Sequence, residues 1–264
     1  MAYTTVHAET ARVAPEVRRI HTDDIQAALR AGLDDFRARP SHLFFLGLIY
    51  PVCGLVLVQV ALNQSLLPLL FPLVSGFALM GPFIALGLYD ISRRREQGLE
   101  IHWTHAIPIA GAPRRGGLWA LGGLLAAFFM AWLAAAYGLF QQTSGLDVSG
   151  GTLAFFTAVL TSVEGVKLIV VGHLLGFGFA AVVLATTVVA FPLMLDRPEI
   201  GPLGAVATSL RAVARNPKET ALWGLIVAVA LVVGTLALFV GLALVMPILG
   251  HSSWHLYRRL VVAS

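Results

Sequence analysis

Four long stretches of this 264-residue chain carry no Asp, Glu, Lys or Arg: 40–89, 116–146, 168–195 and 220–257, 147 residues in all. A soluble surface cannot be built from such runs. An ordinary soluble domain is roughly 25% charged, whereas this chain is 12% charged and 58% hydrophobic, with mean hydropathy +0.82. In hydrocarbon every backbone polar group must be satisfied within the protein, so the runs are expected to form transmembrane helices. The expected fold is an all-α, polytopic transmembrane helix bundle.

A hydrocarbon core about 30 Å thick needs about 20 apolar helical residues. Block 40–89 is too long for one span and divides at Asn63, Gln64 and Ser65 into spans near 41–62 and 66–90. Single spans are expected near 117–140 and 168–195. Block 220–257 reads either as one long helix or as a hairpin turning near Gly234–Gly241, with spans at 219–237 and 239–257. Arginine bias favours the hairpin, because cytoplasmic loops collect Lys and Arg. Six spans put seventeen Lys and Arg residues inside against Lys167 outside, and five spans put fifteen inside against three. Six spans with both termini cytoplasmic is the preferred topology, with five as the alternative. A weak internal repeat agrees: Pro40 and Pro217 are each followed at equal spacing by Gly-Leu-Ile, and each following hairpin ends in Leu-Tyr and arginines.

Residues 1–21 read as a cytoplasmic tail, and 22–264 as a single membrane domain. Two amphipathic surface helices are expected, near 22–39 and 202–215. In the first, Thr22 precedes Asp23 and Asp24, a helix-start signal, and Ile25, Leu29, Leu33 and Phe36 share a face. In the second, Leu203, Val206, Leu210 and Val213 share one. Both are expected on the cytoplasmic leaflet or packed against the spans. Residues 153–160 are too short to cross and read as an interfacial or partly re-entrant helix.

Ionisable groups inside a bilayer are functional candidates by default. His173 lies in the fourth span, between Gly172 and Gly176, a spacing that lets another backbone approach. His251 and His255 are one helical turn apart. That spacing could hold a metal or a haem, but no third ligand is near, and Trp254, Tyr257, Arg258 and Arg259 surround them as an interface belt would. Glu164 and Lys167 suit either a local ion pair or an outward polar gate. Pro82 sits in the heavily broken second span, and broken helices can line a transporter cavity. His102 and His105 are three apart and make a poor zinc signal. No catalytic motif is present, Cys53 is the single cysteine, and no cofactor or metal is assigned. The pI near 9.6 comes from membrane-flanking arginines and does not argue for nucleic acid.

Four segments carry a family resemblance: Pro15–Ile20; Gly81-Pro82 with the run from Gly87 through Leu88-Tyr89-Asp90 to Arg94; Phe191-Pro192 with Leu195-Asp196-Arg197; and the run from Pro247 to Arg258. Together they resemble a proteobacterial family of predicted integral membrane proteins of unknown function. The resemblance implies an inner-membrane location and no established activity. Some members carry a cytochrome c oxidase subunit label. A haem-copper catalytic subunit would need about six membrane histidines, and the spans offer His173, His251 and His255, with His42 at an edge. The expectation is therefore a non-catalytic accessory or assembly subunit of a larger, respiratory-type membrane complex, in contact with lipids and other integral membrane proteins. A permease for a small or lipid-like molecule is the alternative, and a membrane enzyme the third reading.

Overall fold

Apolar runs punctuated by proline and glycine fold here into helices of unequal length. The computed structural model describes residues 15–40, 49, 52, 55, 56, 59, 63–101, 116–143, 146, 150–237 and 240–262. Helix α1 (Thr22–Ala38) is followed by the helical residues 49, 52, 55, 56 and 59 and a 3-10 turn (Gln64–Leu69). The second apolar block is cut into α2 (Leu70–Leu79), α3 (Gly81–Ile84) and α4 (Leu86–Glu96). Then come α5 (Gly116–Gln141), α6 (Gly151–Thr161), α7 (Val163–Thr187), α8 (Ala190–Asp196), α9 (Gly201–Arg215), α10 (Pro217–Leu236) and α11 (Leu242–Leu260). Among the described residues there is no strand beyond an isolated antiparallel bridge, Val17 with Val261.

Among the described residues three stretches are long and apolar enough to cross a membrane: Gly116–Gln141, Val163–Asp196 and Pro217–Leu236. They belong to an integral membrane helix bundle, whose outer faces show Val170, Leu174, Phe177, Leu225, Val229 and Val232 as exposed side chains. The block 220–257 is a helical hairpin. Gly234 and Gly241 meet at its turn, where an added methyl on Gly241 would lie 2.8 Å from the Gly234 Cα.

The breaks have local causes. Pro82 lies in the first turn of α3, where its missing N–H costs least. Helix α4 ends in a glycine cap: Gly98 adopts φ 66°, Leu99 N–H donates to Arg94 O at 2.9 Å and Gly98 N–H to Arg95 O at 3.2 Å. The expected fourth span stops earlier than its apolar run. Between α7 and α8 the buried Ser209 hydroxyl donates to Ala185 O (2.8 Å) and accepts Val189 N–H (3.2 Å), satisfying backbone groups freed by the break. Helix α8 then lies buried from Ala190 to Met194.

Two expectations shift at the arginine-rich end. The tail is held over its last residues: Val17 and Ile20 are buried, Arg18 N–H donates to Leu260 O at 2.8 Å, and Val262 N–H donates to Glu16 O at 3.0 Å. Helix α1 starts at Thr22, but His21 is its N-cap and Asp24 reaches back to the His21 N–H at 2.9 Å. Most of the core lies here, in a polar head where α1, α4, α8, α9 and the second half of α11 pack together. A smaller cluster of Leu67, Leu146 and Phe155 lies apart from it.

Candidate functional site

The head is organised by the last turns of α11. Helix α1 approaches them closely: a methyl on Gly32 would overlap Ser252, including its backbone nitrogen. Small residues permit this, and the buried stripe of α1 is Ile25, Ala28, Gly32 and Asp35. The approach carries Asp35 into the interior at 4% exposure.

Asp35 is the hub. Its Oδ2 accepts from Ser92 Oγ at 2.6 Å and from His255 Nε2 at 2.8 Å, while Arg95 Nη1 donates to Oδ1. Burial pushes the Asp35 carboxyl up, but the hydrogen bonds from His255, Ser92 and Arg95 outweigh it and hold the group down at about 2. The ionised carboxylate can only accept, so the Ser92 proton points to Asp35. The Ser92 oxygen is then free to accept from His251 Nδ1, 2.8 Å away. This order assigns the His251 proton to Nδ1 and leaves Nε2 as a buried lone pair with no partner.

Trp254, Tyr257, Arg258 and Arg259 of α11 also pair with other elements. Glu96 accepts from Trp254 Nε1 and from Arg258 Nε, both at 3.0 Å. Asp196 accepts from Tyr257 Oη at 2.6 Å, and Arg258 Nη1 lies 3.6 Å from it. Arg259 Nη1 donates to Asp24 at 2.8 Å. Beside α11, Asp90 takes Arg93 (2.6 Å) and Arg94 (3.0 Å), and Arg197 Nη2 donates to Val262 O at 2.6 Å. Asn216 closes the back of the head: its Oδ1 accepts Ile20 N–H at 2.8 Å, and its Nδ2 donates to Arg18 O and Ala212 O. These arginines hold protein carboxylates and carbonyls, where membrane anchoring alone would leave them facing headgroups.

Under the head, the bundle surrounds an apolar cavity of about 640 Å³. Pro82 and Tyr89 line it, with Thr187, Trp223 and Ser253 among the other walls.

The sequence candidates are therefore dispersed. His251 and His255 meet in the head network, and Pro82 lies on the cavity. His173 is exposed on α7, with Nδ1 2.7 Å from Ile169 O on its own helix and its ring against Phe71, centroids 5.2 Å apart. The neighbouring glycines admit side chains and not a backbone: Trp132 faces Gly176 and Leu139 faces Gly172. Glu164 and Lys167 form no ion pair with each other among the described residues. His102 and His105 lie outside the described residues. No group of three or more His, Cys, Asp or Glu among the described residues could hold a metal ion. Asp35, Ser92 and Asn216 escaped the sequence reading, because burial alone distinguishes them from ordinary surface residues, and Glu96, itself exposed, is marked only by its bonds to Trp254 and Arg258.

A family model described as "Predicted integral membrane protein (DUF2189)" matches residues 70–196. It is the family of predicted integral membrane proteins, of unknown function, that the four motifs resemble. The matched part contributes Ser92, Arg95, Glu96 and Asp196 to the head, while Asp35 and the α11 residues lie outside it. Nothing among curated proteins or solved structures matches the chain.

Proposed function

We propose that this integral membrane protein is a non-catalytic accessory or assembly subunit of a larger complex in the bacterial inner membrane, with six spans and both termini cytoplasmic. The observation that carries the reading is the isolation of α7. Only 6% of its most apolar 18-residue stretch is buried by the rest of the chain. On α7, Gly178 has open space where a side chain would stand, as do Gly123 and Gly138 on α5. Apolar surface gains little by leaving lipid, so membrane helices associate through close packing of small residues and through polar contacts. Helix α7 thus offers another integral membrane protein a surface on which backbones can close up. The head suits such a part: its acids and bases neutralise one another inside the fold.

The test is purification of tagged full-length protein in mild detergent. Stoichiometric membrane partners are expected with the wild type, and Gly178→Leu should lose them while keeping the monomer's own thermal stability. A lone, monodisperse wild-type protein would refute the reading. A second reading, a permease for a small or lipid-like molecule, is favoured by the cavity beside the broken helices α2–α4. Solute uptake into vesicles containing the purified protein alone would support it.

A further inference from the structure

The cavity poses a packing problem. At about 640 Å³ it falls in the range of ligand pockets, roughly 300–1,000 Å³. It is partly open to its surroundings, and its walls are apolar, so hydrocarbon fits it better than water does. The described walls are contributed by Ile49, Val52 and Val56 and by α2–α4, α5, α7, α10 and α11, and Tyr89 is the one ionisable side chain among the described lining residues.

The few polar groups on the wall narrow the occupant further. Thr187 Oγ1 donates to Val183 O (2.6 Å), Thr235 Oγ1 to Leu231 O (2.8 Å) and Ser253 Oγ to Leu249 O (2.7 Å), so all three hydroxyl protons are used within their own helices. The Tyr89 hydroxyl is paired with Ser253. Trp223, 2% exposed, has an indole N–H with no hydrogen-bond partner among the described residues. The described lining residues therefore have a donor to spare and no charge with which to receive a charged group.

We infer that this cavity is a binding site for a neutral lipid with a long hydrocarbon chain and a carbonyl-type acceptor, the acceptor taking the Trp223 N–H. The site shares its cavity with the permease reading but requires binding alone. Its test therefore fails separately from both the vesicle uptake and the partner purification. Atoms of the chain replace the missing packing contacts, and the uncharged head incurs no charge-burial cost.

The probe is dioleoylglycerol brominated on its acyl chains, titrated into the full-length protein in dodecylmaltoside, with tryptophan quenching as readout. Saturable quenching is expected, and Trp223→Phe should lose the saturable component. Brominated phosphatidic acid, with the same chains and a charged head, should need about tenfold more for the same quenching. Val227→Phe with Leu231→Phe narrows the cavity from α10 and should weaken the diacylglycerol effect at least as much. Val227→Phe alone serves if the double variant does not fold. Quenching that rises without saturation would reduce the effect to partitioning and overturn the site. Equal response to the two lipids, or indifference to the α10 substitutions, would overturn it as well.

Discussion

Replacing Asp35 by Asn removes one charge from the centre of the head and keeps the side-chain volume. The carboxylate is 4% exposed and accepts from Ser92, His255 and Arg95. These bonds, working against burial, hold its pKa at about 2, below the ordinary 3.8. That depression corresponds to about 2 kcal/mol. The sign follows from linkage: the folded state prefers the ionised form, so the contribution is complete above pH 3.8 and is lost as pH falls through about 2. Arg95 is 42% exposed and can return to water when its partner is neutral, so the loss should stay near this figure and below the 3–5 kcal/mol typical of a fully buried broken pair.

Asp35→Asn is therefore expected to melt lower than wild type at pH 7, by about 5–10 °C for a domain of this size. Emission from Trp254, buried in the head and hydrogen-bonded to Glu96, can follow the transition. The gap should narrow as both proteins are titrated from pH 5 to pH 2.5 and close below pH 2. Equal midpoints at pH 7, or a gap that persists at low pH, would show that Asp35 is not the ionised hub described here.

Other substitutions probe separate parts of the fold. Asn216→Ala leaves the Ile20 N–H and the Arg18 carbonyl unpaired and should cost about 1–3 kcal/mol, seen as faster amide exchange over residues 16–20. Gly32→Ala places a methyl against the Ser252 backbone and should destabilise by about 1–3 kcal/mol, while Gly123→Ala, facing open space, should not; limited proteolysis of α1 would separate them. Tyr257→Phe loses the 2.6 Å bond to Asp196 and should cost about 1.5–3 kcal/mol in thermal unfolding. Glu164→Gln with Lys167→Gln breaks no mutual ion pair and should stay within about 0.5 kcal/mol of wild type.

Helices were legible in the sequence wherever apolar runs were long, because hydrocarbon leaves the backbone no other solution. The hairpin at 220–257 was legible from two glycines and the arginine bias. The buried faces of the two amphipathic helices were not. Periodicity selects large apolar residues, and on α1 it selects Ile25, Leu29, Leu33 and Phe36. The structure buries Ile25, Ala28, Gly32 and Asp35. On α9 it selects Leu203, Val206, Leu210 and Val213, whereas Ala205, Thr208, Ser209 and Ala212 are buried. The cause is common to both. Small residues let the axes approach, and close approach is what brings Asp35 to His255 and Ser209 to the break after α7. Asp34, one residue from the hub, remains exposed beside Arg37 at 3.7 Å, so nothing in the composition of the pair reveals which acid goes inside.

The same rotation explains where the displaced apolar side chains go. Leu203 is 85% exposed and Leu210 46%, on a helix that also carries Arg211 and Arg215. A face of leucines beside arginines is suited to the boundary between headgroups and acyl chains. Helix α9 can therefore satisfy two surroundings at once, its small face closing on α7 and α8 and its large face meeting lipid. The chain is thus held together by two different means. The head is fixed by specific charge and hydrogen-bond pairs that act only at short range. The apolar stretch of α7 touches its own chain at few places, among them Trp132 against Gly176 and Phe179, and turns most of its surface outward.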